Sequence, residues 1–250
     1  MRHPYNPNLT LIYGSEWQGM SLLWRQEPFI EQYLQINHFV IRHAFREGRS
    51  CLVVILILRF PYAYPCPEHG VMTAFFRSLK EQIRADINAR TGKSGRQICC
   101  DLDYIWTREQ SSNSNDHSHY HVALFIDLEA YYRIGSLNQS PVVLDEERVS
   151  PIIPRARSLA ERINRAWARA IGIQDWQAVG LVQFPDNAEY RLKPHHPEFF
   201  EGYLALFKRL SYFAKARSKD YTQRGVPDWY GSSHVPRSGV FLQRCAIGWE

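Results

Sequence analysis

The chain has 250 residues, of which 45% are apolar and 14% aromatic, so it can bury a substantial core within one large domain and is not a disordered tail. Its most apolar run, CLVVILIL at 51–58, is far shorter than the roughly 20 residues that a membrane-spanning helix needs. Thirty Lys and Arg against 25 Asp and Glu give a net charge of +5, which favours a nucleic-acid partner only where it is concentrated on one face.

The first part of the chain is predicted to alternate helices and strands. A turn-rich polar lead, 1–27, precedes helical spacing of apolar residues in PFIEQYLQINHFVIRHAF. The apolar run 51–58 indicates a strand buried on both faces in the middle of a sheet. An amphipathic helix is expected at 71–91, followed by a long strand at 97–110.

The second part continues with a polar loop, SSNSNDHS, and the strand HYHVALFID at 119–127. Two strands joined by one short loop should be antiparallel neighbours. Helices are predicted at about 155–171 and 199–221, separated by a strand at 176–184 and a loop. The order β-α-β-β-α-β-α indicates an α+β fold with a central antiparallel sheet flanked by helices.

Three histidines occupy every second position in NDHSHYHVALFID, at the start of the predicted strand. His119 and His121 point to the same side of a strand and can reach one metal ion. A hard divalent cation also needs an oxygen ligand, which Glu109 at the end of the preceding strand can supply. His117 is the rival third ligand, although it falls in the loop. The plain alternative is a polar loop that runs into an ordinary strand with solvated histidines.

The last predicted helix carries RLSYFAKARSKDY at 209–221. On an α-helix Lys215 lies about 60° from Tyr212 around the axis and Lys219 about 20°, so all three share a face. Nearby ammonium groups lower the pKa of a phenol, which makes it a better nucleophile, and they also bind phosphodiesters. The alternative is a surface helix with a boundary tyrosine and solvated lysines.

Together the two motifs resemble a known superfamily. HYHVALF, followed about ninety residues later by YFAK, looks like the HUH endonucleases, and five segments (IWTREQ, HYHVALFIDLEAYYRIG, RINRAWARAIG, GLVQFPDNAEYRL and RLSYFAKARSKDY) resemble the inovirus-type gene-II replication proteins. The resemblance spans about 50–221. It implies a five-stranded core of RNA-recognition-motif-like topology with the histidine strand central.

By carry-over, the resemblance assigns Mg²⁺ or Mn²⁺ to His119 and His121, with Glu109 as a further ligand. It makes Tyr212 the nucleophile and Lys215 its assistant. Some relatives carry a second tyrosine one turn later, where this chain has Ala216, so only a single-tyrosine mechanism is implied. The implied domains are 1–48, a polar lead and helix; 49–222, the endonuclease domain; and 223–250, a loop-rich tail.

Positive charge is concentrated on the last two predicted helices. The arginine-rich helix near 155–169 and the tyrosine helix each have a local surplus of four charges, which suits a surface that follows phosphates. On the tyrosine helix the expected DNA contacts are Lys208, Arg209, Arg217 and Lys219. The expected partner is single-stranded or hairpin DNA, because the catalytic groove must hold one strand in line with the nucleophile.

The sequence therefore predicts a rolling-circle replication initiator that nicks origin DNA and forms a phosphotyrosine link. The alternatives are an inactive prophage-derived DNA-binding or regulatory protein of the same fold, and an unrelated metal hydrolase that uses the histidines alone. No G-x-x-x-x-G-K-[ST] motif is present, so strand separation would fall to a host helicase or to superhelical stress. An odd number of cysteines, five, and no signal peptide predict a cytoplasmic protein of a bacterial host or phage.

Overall fold

A computed structural model describes residues 1–62, 64, 69–110, 118–137, 156, 158–222 and 228–234. Its four α-helices are α1 Glu31–Ala44, α2 Val71–Ser94, α3 Leu159–Ala170 and α4 Phe199–Leu210. The strands are β1 Arg2–His3, β2 Asn6–Ile12, β3 Glu16–Trp17, β4 Met20–Ser21, β5 Phe29–Ile30, β6 Cys51–Leu58, β7 Leu102–Glu109, β8 His119–Asp127, β9 Val182–Gln183, β10 Glu189–Leu192 and β11 Tyr230–Ser232. Short 3₁₀ turns cover Trp24–Gln26, Arg46–Gly48, Asp175–Ala178 and Ser211–Ala214.

The central sheet is antiparallel throughout, in the order β10, β6, β8, β7, β11, with β9 paired to the far end of β6. The predicted α+β class and the antiparallel pairing of β7 with β8 are confirmed. That pair runs in unbroken register from Leu102 opposite Ile126 to Glu109 opposite His119. The histidine strand β8 lies between β6 and β7, in the interior of the sheet.

The two sides of the sheet are covered by different helices, as the period-two alternation of strand side chains requires. Even-numbered side chains of β6 and β8, such as Leu56 and Leu124, pack in one core with α2 and α3. Odd-numbered side chains, such as Val53 and Phe125, pack in a second core with α1 and α4. We call these sides the α2/α3 face and the α1/α4 face.

The N-terminal residues are part of the α1/α4 face. Trp17, Met20, Leu22 and Phe29 are buried in the same core as α1 and α4. Trp17, Met20 and Phe29 belong to two small antiparallel sheets, β1-β2-β5 and β3-β4, which the predicted polar lead did not include. Part of the N-terminal segment therefore shares one apolar core with α1 and α4 on this face.

The segment between α3 and α4 differs from its prediction. The strand expected at 176–184 is reduced to β9, and a 3₁₀ turn at Asp175–Ala178 replaces its first half. Gln174 and Gln177 hydrogen-bond each other's backbone there, and Trp176 is exposed rather than packed. The predicted loop after it contains β10, which pairs with the first half of β6.

The predicted loop-rich C-terminal tail, 223–250, also contains a strand. β11 extends the sheet beyond β7, and Trp229 beside it is buried. Residues 223–227 and 235–250 lie outside the described residues.

Among the described residues, no helix is both long enough and apolar enough to cross a bilayer.

Trp167 tests the core of the α2/α3 face. Its ring is fully buried against Phe60, Phe75 and Tyr120, and its indole N–H donates to the Arg59 carbonyl at 2.8 Å. We expect Trp167→Ala to lower the free energy of unfolding by about 3–5 kcal/mol in urea denaturation, because it leaves a large cavity. The control Trp176→Ala, at a 64% exposed position, should change it by less than about 0.5 kcal/mol.

Candidate metal and tyrosine site

Glu109, His119 and His121 meet on the α1/α4 face at the end of the β7–β8 pair. The register sets Glu109 opposite His119, and His121 follows two residues later on the same side. One ligand atom from each residue lies within 4.8 Å of the others. The Nε2 atoms of His121 and His119 are 3.3 Å and 3.8 Å from Glu109 Oε2. The rival ligand, His117, lies outside the described residues.

These three side chains fit a divalent cation. In the part of the chain that the structure describes, Glu109 Oε1, His119 Nδ1 and His121 Nε2 are buried without a hydrogen-bond partner. Buried polar atoms of this kind are normally satisfied, so these three are free to bind a further group such as a cation. Two imidazoles and one carboxylate are ligands typical of divalent metals.

The protonation states of His119 and Glu109 suit metal ligation. Burial, reinforced by neighbouring His121, lowers the pKa of His119 to about 4, so its imidazole is neutral near pH 7. Burial alone would raise the pKa of Glu109, but the adjacent His121 and Lys215 lower it to about 2. The site therefore offers a neutral imidazole and an ionised carboxylate at physiological pH.

Tyr212 lies against this cluster. Its hydroxyl donates to Glu109 Oε2 at 3.3 Å, and its ring centroid is 5.0 Å from that of His121. The expected lowering of the phenol pKa is wrong for these described residues. Burial, followed by the Glu109 carboxylate, raises the pKa of Tyr212 to about 12.

Lys215 reaches the site, but not from a helix as predicted. After α4 the chain makes the 3₁₀ turn Ser211–Ala214 and becomes extended at Lys215, which forms a β-bridge with Phe29. The next backbone N–H, at Ala216, donates to the Pro28 carbonyl at 2.8 Å. This contact with the N-terminal segment ends the helix.

The extended backbone nevertheless brings the Lys215 ammonium into the cluster. Its Nζ is 2.8 Å from Glu109 Oε2 and 3.6 Å from the centroid of the Tyr212 ring. The cation thus lies over the face of the phenol and pairs with the carboxylate, rather than contacting the phenol oxygen. Its side chain is only 6% exposed.

The helical prediction placed Lys219 on the same face as Tyr212, but the structure does not. Lys219 is buried, and its Nζ donates to the Lys215 carbonyl at 2.6 Å. Burial lowers its pKa from 10.5 to about 7. Lys219 therefore supports the backbone beneath the site, and the prediction that it shares a helix face with Tyr212 is wrong.

The other three predicted DNA contacts are near the surface. Lys208 is exposed, Arg209 donates to the Asp186 carbonyl at 2.9 Å, and Arg217 is exposed and bonded to Gln26. Lys208 and Arg209 line a cavity of about 460 Å³ that is also lined by Tyr212 and His121. Leu23 and Tyr190 line it as well, and no sequence pattern pointed to either.

The arginine-rich helix cannot extend this surface. It corresponds to α3, which packs on the α2/α3 face, on the other side of the sheet from Tyr212. Arg162 pairs with Asp86 and Arg165 with Asp175, both at 2.6 Å. Arg155 and Arg157 lie outside the described residues. The predicted phosphate-following surface is therefore limited to the α4 side.

Comparisons with known proteins identify the family. The model of the YagK/YfjJ C-terminal domain family matches residues 15–227, so the chain belongs to this family. YagK of Escherichia coli K12, described as an uncharacterized protein, is 30% identical over 62% of this chain and 66% of its own length. YfjJ of the same organism, also uncharacterized, is 27% identical over 64% of this chain and 69% of its own. The matches thus span about two thirds of these relatives, and no solved structure matches the chain.

The buried Lys219 generates a pH-dependent stability. Its folded-state pKa, about 7, is below the unfolded value of 10.5, so the unfolded chain binds more protons between these values. Stability should rise with pH across that window. We expect Lys219→Met to be stabilised relative to the parent chain by a few kcal/mol near pH 7, a difference that shrinks towards pH 10.

Urea denaturation at a series of pH values measures this difference. Lys208→Met, at an exposed position, serves as the control and should show no such trend. A Lys219→Met difference that is independent of pH would contradict the assignment of the trend to the buried cation.

Proposed function

We propose that this member of the YagK/YfjJ C-terminal domain family is a metal-dependent DNA endonuclease that nicks one strand with Tyr212. The observation that carries the proposal is the position of the Tyr212 hydroxyl, 3.3 Å from the carboxylate of the candidate metal cluster. A nucleophile and a Lewis-acid site must be this close to act on the same phosphodiester. A boundary tyrosine of a surface helix would not need to lie close to such a cluster.

The reaction forms one bond to phosphorus and breaks another. The Tyr212 oxygen attacks the phosphorus of a DNA phosphodiester, and one bridging P–O bond of that phosphodiester breaks. The phenol loses its proton and the leaving oxygen gains one, which yields a free hydroxyl and a phosphotyrosine link. Reversal by an incoming hydroxyl would rejoin a strand, as a replication initiator requires.

The side chains divide this work by charge and position. Glu109, His119 and His121 would hold Mg²⁺ or Mn²⁺, which polarises the phosphate and neutralises charge in the transition state. Lys215 balances the buried Glu109 carboxylate and holds the Tyr212 ring through its ammonium group. Lys208 and Arg209 provide positive charge along the cavity beside Tyr212, where a DNA strand would lie.

The resemblance to HUH endonucleases adds the biological role. Two histidines from an interior strand, an adjacent carboxylate and a tyrosine from a neighbouring helical segment are the groups that this resemblance implies. The inovirus-type gene-II proteins suggest rolling-circle initiation on a phage or prophage element, acting on single-stranded or extruded DNA. The finer RNA-recognition-motif-like topology belongs to the same proposal.

Covalent capture tests the nucleophile. The chain is incubated with Mn²⁺ and an end-labelled library of single-stranded oligonucleotides, and adducts are detected on denaturing gels. We expect an adduct with the parent chain and at least a 100-fold loss with Tyr212→Phe, because phenylalanine lacks the attacking oxygen. Tyr190→Phe, which lines the same cavity, should retain the adduct. An undiminished adduct in Tyr212→Phe would reject the assigned nucleophile.

Metal titration tests the cluster separately from the chemistry. We expect His121→Ala and Glu109→Gln each to weaken Mn²⁺ binding at least tenfold in calorimetry, since each removes one of three ligands. His196→Ala, a half-exposed histidine distant in the chain, serves as the control. Unchanged Mn²⁺ binding in both site variants would overturn the metal assignment.

A third outcome distinguishes the enzyme from a binding protein of the same fold. Salt-sensitive binding of single-stranded DNA, without an adduct in any divalent metal, would replace the nickase with a DNA-binding or regulatory protein.

A further inference from the structure

A second group of metal-ligand side chains lies at the other end of β7. His43 in the last turn of α1, Asp103 near the start of β7 and His234 after β11 each place a ligand atom within 4.8 Å of the others. Asp103 and Glu109 are six residues apart on one strand, a separation of about 20 Å. The two groups therefore cannot share an ion.

We propose that His43, Asp103 and His234 form a zinc site that is separate from the candidate active site. His234 Nε2 is 2.7 Å from Asp103 Oδ1, and the His43 and His234 ring centroids are 3.9 Å apart. Two ligand atoms bound to one tetrahedral Zn²⁺ at about 2.0–2.1 Å lie roughly 3.3 Å apart. Small side-chain rotations would therefore open the position for the ion.

The surrounding charges leave room for a cation. Arg49 pairs with Asp127 at 2.8 Å and with Oδ2 of Asp103 at 2.6 Å, while Arg46 pairs with Asp101 at 2.9 Å and lies 3.5 Å from the same Oδ2 of Asp103. Two arginines thus face three carboxylates, which leaves one negative charge. His234 contacts Oδ1 of Asp103, whereas Arg49 donates to the other carboxylate oxygen, Oδ2.

The types of side chain also suit Zn²⁺. Two imidazoles and one carboxylate, with water in the fourth position, are a ligand set that Zn²⁺ commonly takes. The plain alternative is a simple hydrogen bond between Asp103 and His234.

A metal at this position would cross-link three parts of the chain. His43 lies in α1, Asp103 in β7 and His234 after β11, and all three are on the α1/α4 face. Binding energy of such an ion appears directly as folding stability, because the unfolded chain has no preformed site. The inference does not depend on the proposed nickase activity.

Zinc titration of the full chain tests this site in a background that lacks the first cluster. In His119→Ala/His121→Ala, we expect one equivalent of Zn²⁺ to bind in calorimetry. Adding His234→Gln, which keeps a hydrogen-bond donor for Asp103, should weaken this binding at least tenfold, and His43→Gln should do the same. His196→Ala in the same background should leave it unchanged.

Two further measurements distinguish zinc held by these histidines from zinc held by cysteines or bound elsewhere on the chain. Co²⁺ bound in place of Zn²⁺ should lack the thiolate charge-transfer band that ligation by Cys99 or Cys100 would give. Added Zn²⁺ should raise the melting temperature of the background chain but not of its His234→Gln form. Equal Zn²⁺ affinity with and without His234→Gln, or a thiolate band, would overturn the proposal and leave a plain hydrogen bond between Asp103 and His234.

Discussion

The buried carboxylate of Glu109 is the interaction on which the candidate site depends. It accepts the Tyr212 hydroxyl, pairs with the Lys215 ammonium and lies within 4 Å of both site histidines, although its side chain is only 4% exposed. An ionised group at such depth is tolerated only when it is paired and hydrogen-bonded. Lys215 supplies the pairing, and the register of β7 with β8 brings the histidines opposite the carboxylate. Loss of the Lys215 ammonium would leave the buried Glu109 charge without compensation.

Under the proposed function, this arrangement would let one carboxylate connect metal binding to activation of the nucleophile. The Glu109 charge raises the pKa of Tyr212, in addition to the larger effect of burial. A cation held by Glu109 and the histidines would neutralise that charge, and the phenolate form would become easier to reach. Tyr212 would thus remain protonated until the cluster is loaded.

The sequence predicted the central elements and the side chains that meet in the candidate site, but it placed Lys215 there for an incorrect reason and put Lys219 on the wrong surface. β6, β8 and the β7–β8 pairing followed from uninterrupted or alternating apolar patterns, which fix both the strand and its facing side. Helical spacing placed Tyr212, Lys215 and Lys219 on one face, whereas the helix ends before Lys215. The helix ends where Leu23 hydrogen-bonds Ser211 and Ala216 hydrogen-bonds Pro28. Local periodicity cannot reveal contacts between residues so distant in sequence. For the same reason the sequence did not predict β10, whose four residues become a strand only through pairing with β6.

The N-terminal segment is therefore a structural requirement of the candidate site and not an appendage. Leu23 donates its backbone N–H to the Ser211 hydroxyl at 3.0 Å, and Phe29 forms the bridge that turns Lys215 towards Glu109. Both contacts, and every described residue of the tyrosine and histidine cluster, fall within 15–227, the range of the family match. His234 lies beyond that range. Asp103 and Glu109 are about 20 Å apart along β7, so the sheet can hold both clusters without contact between them.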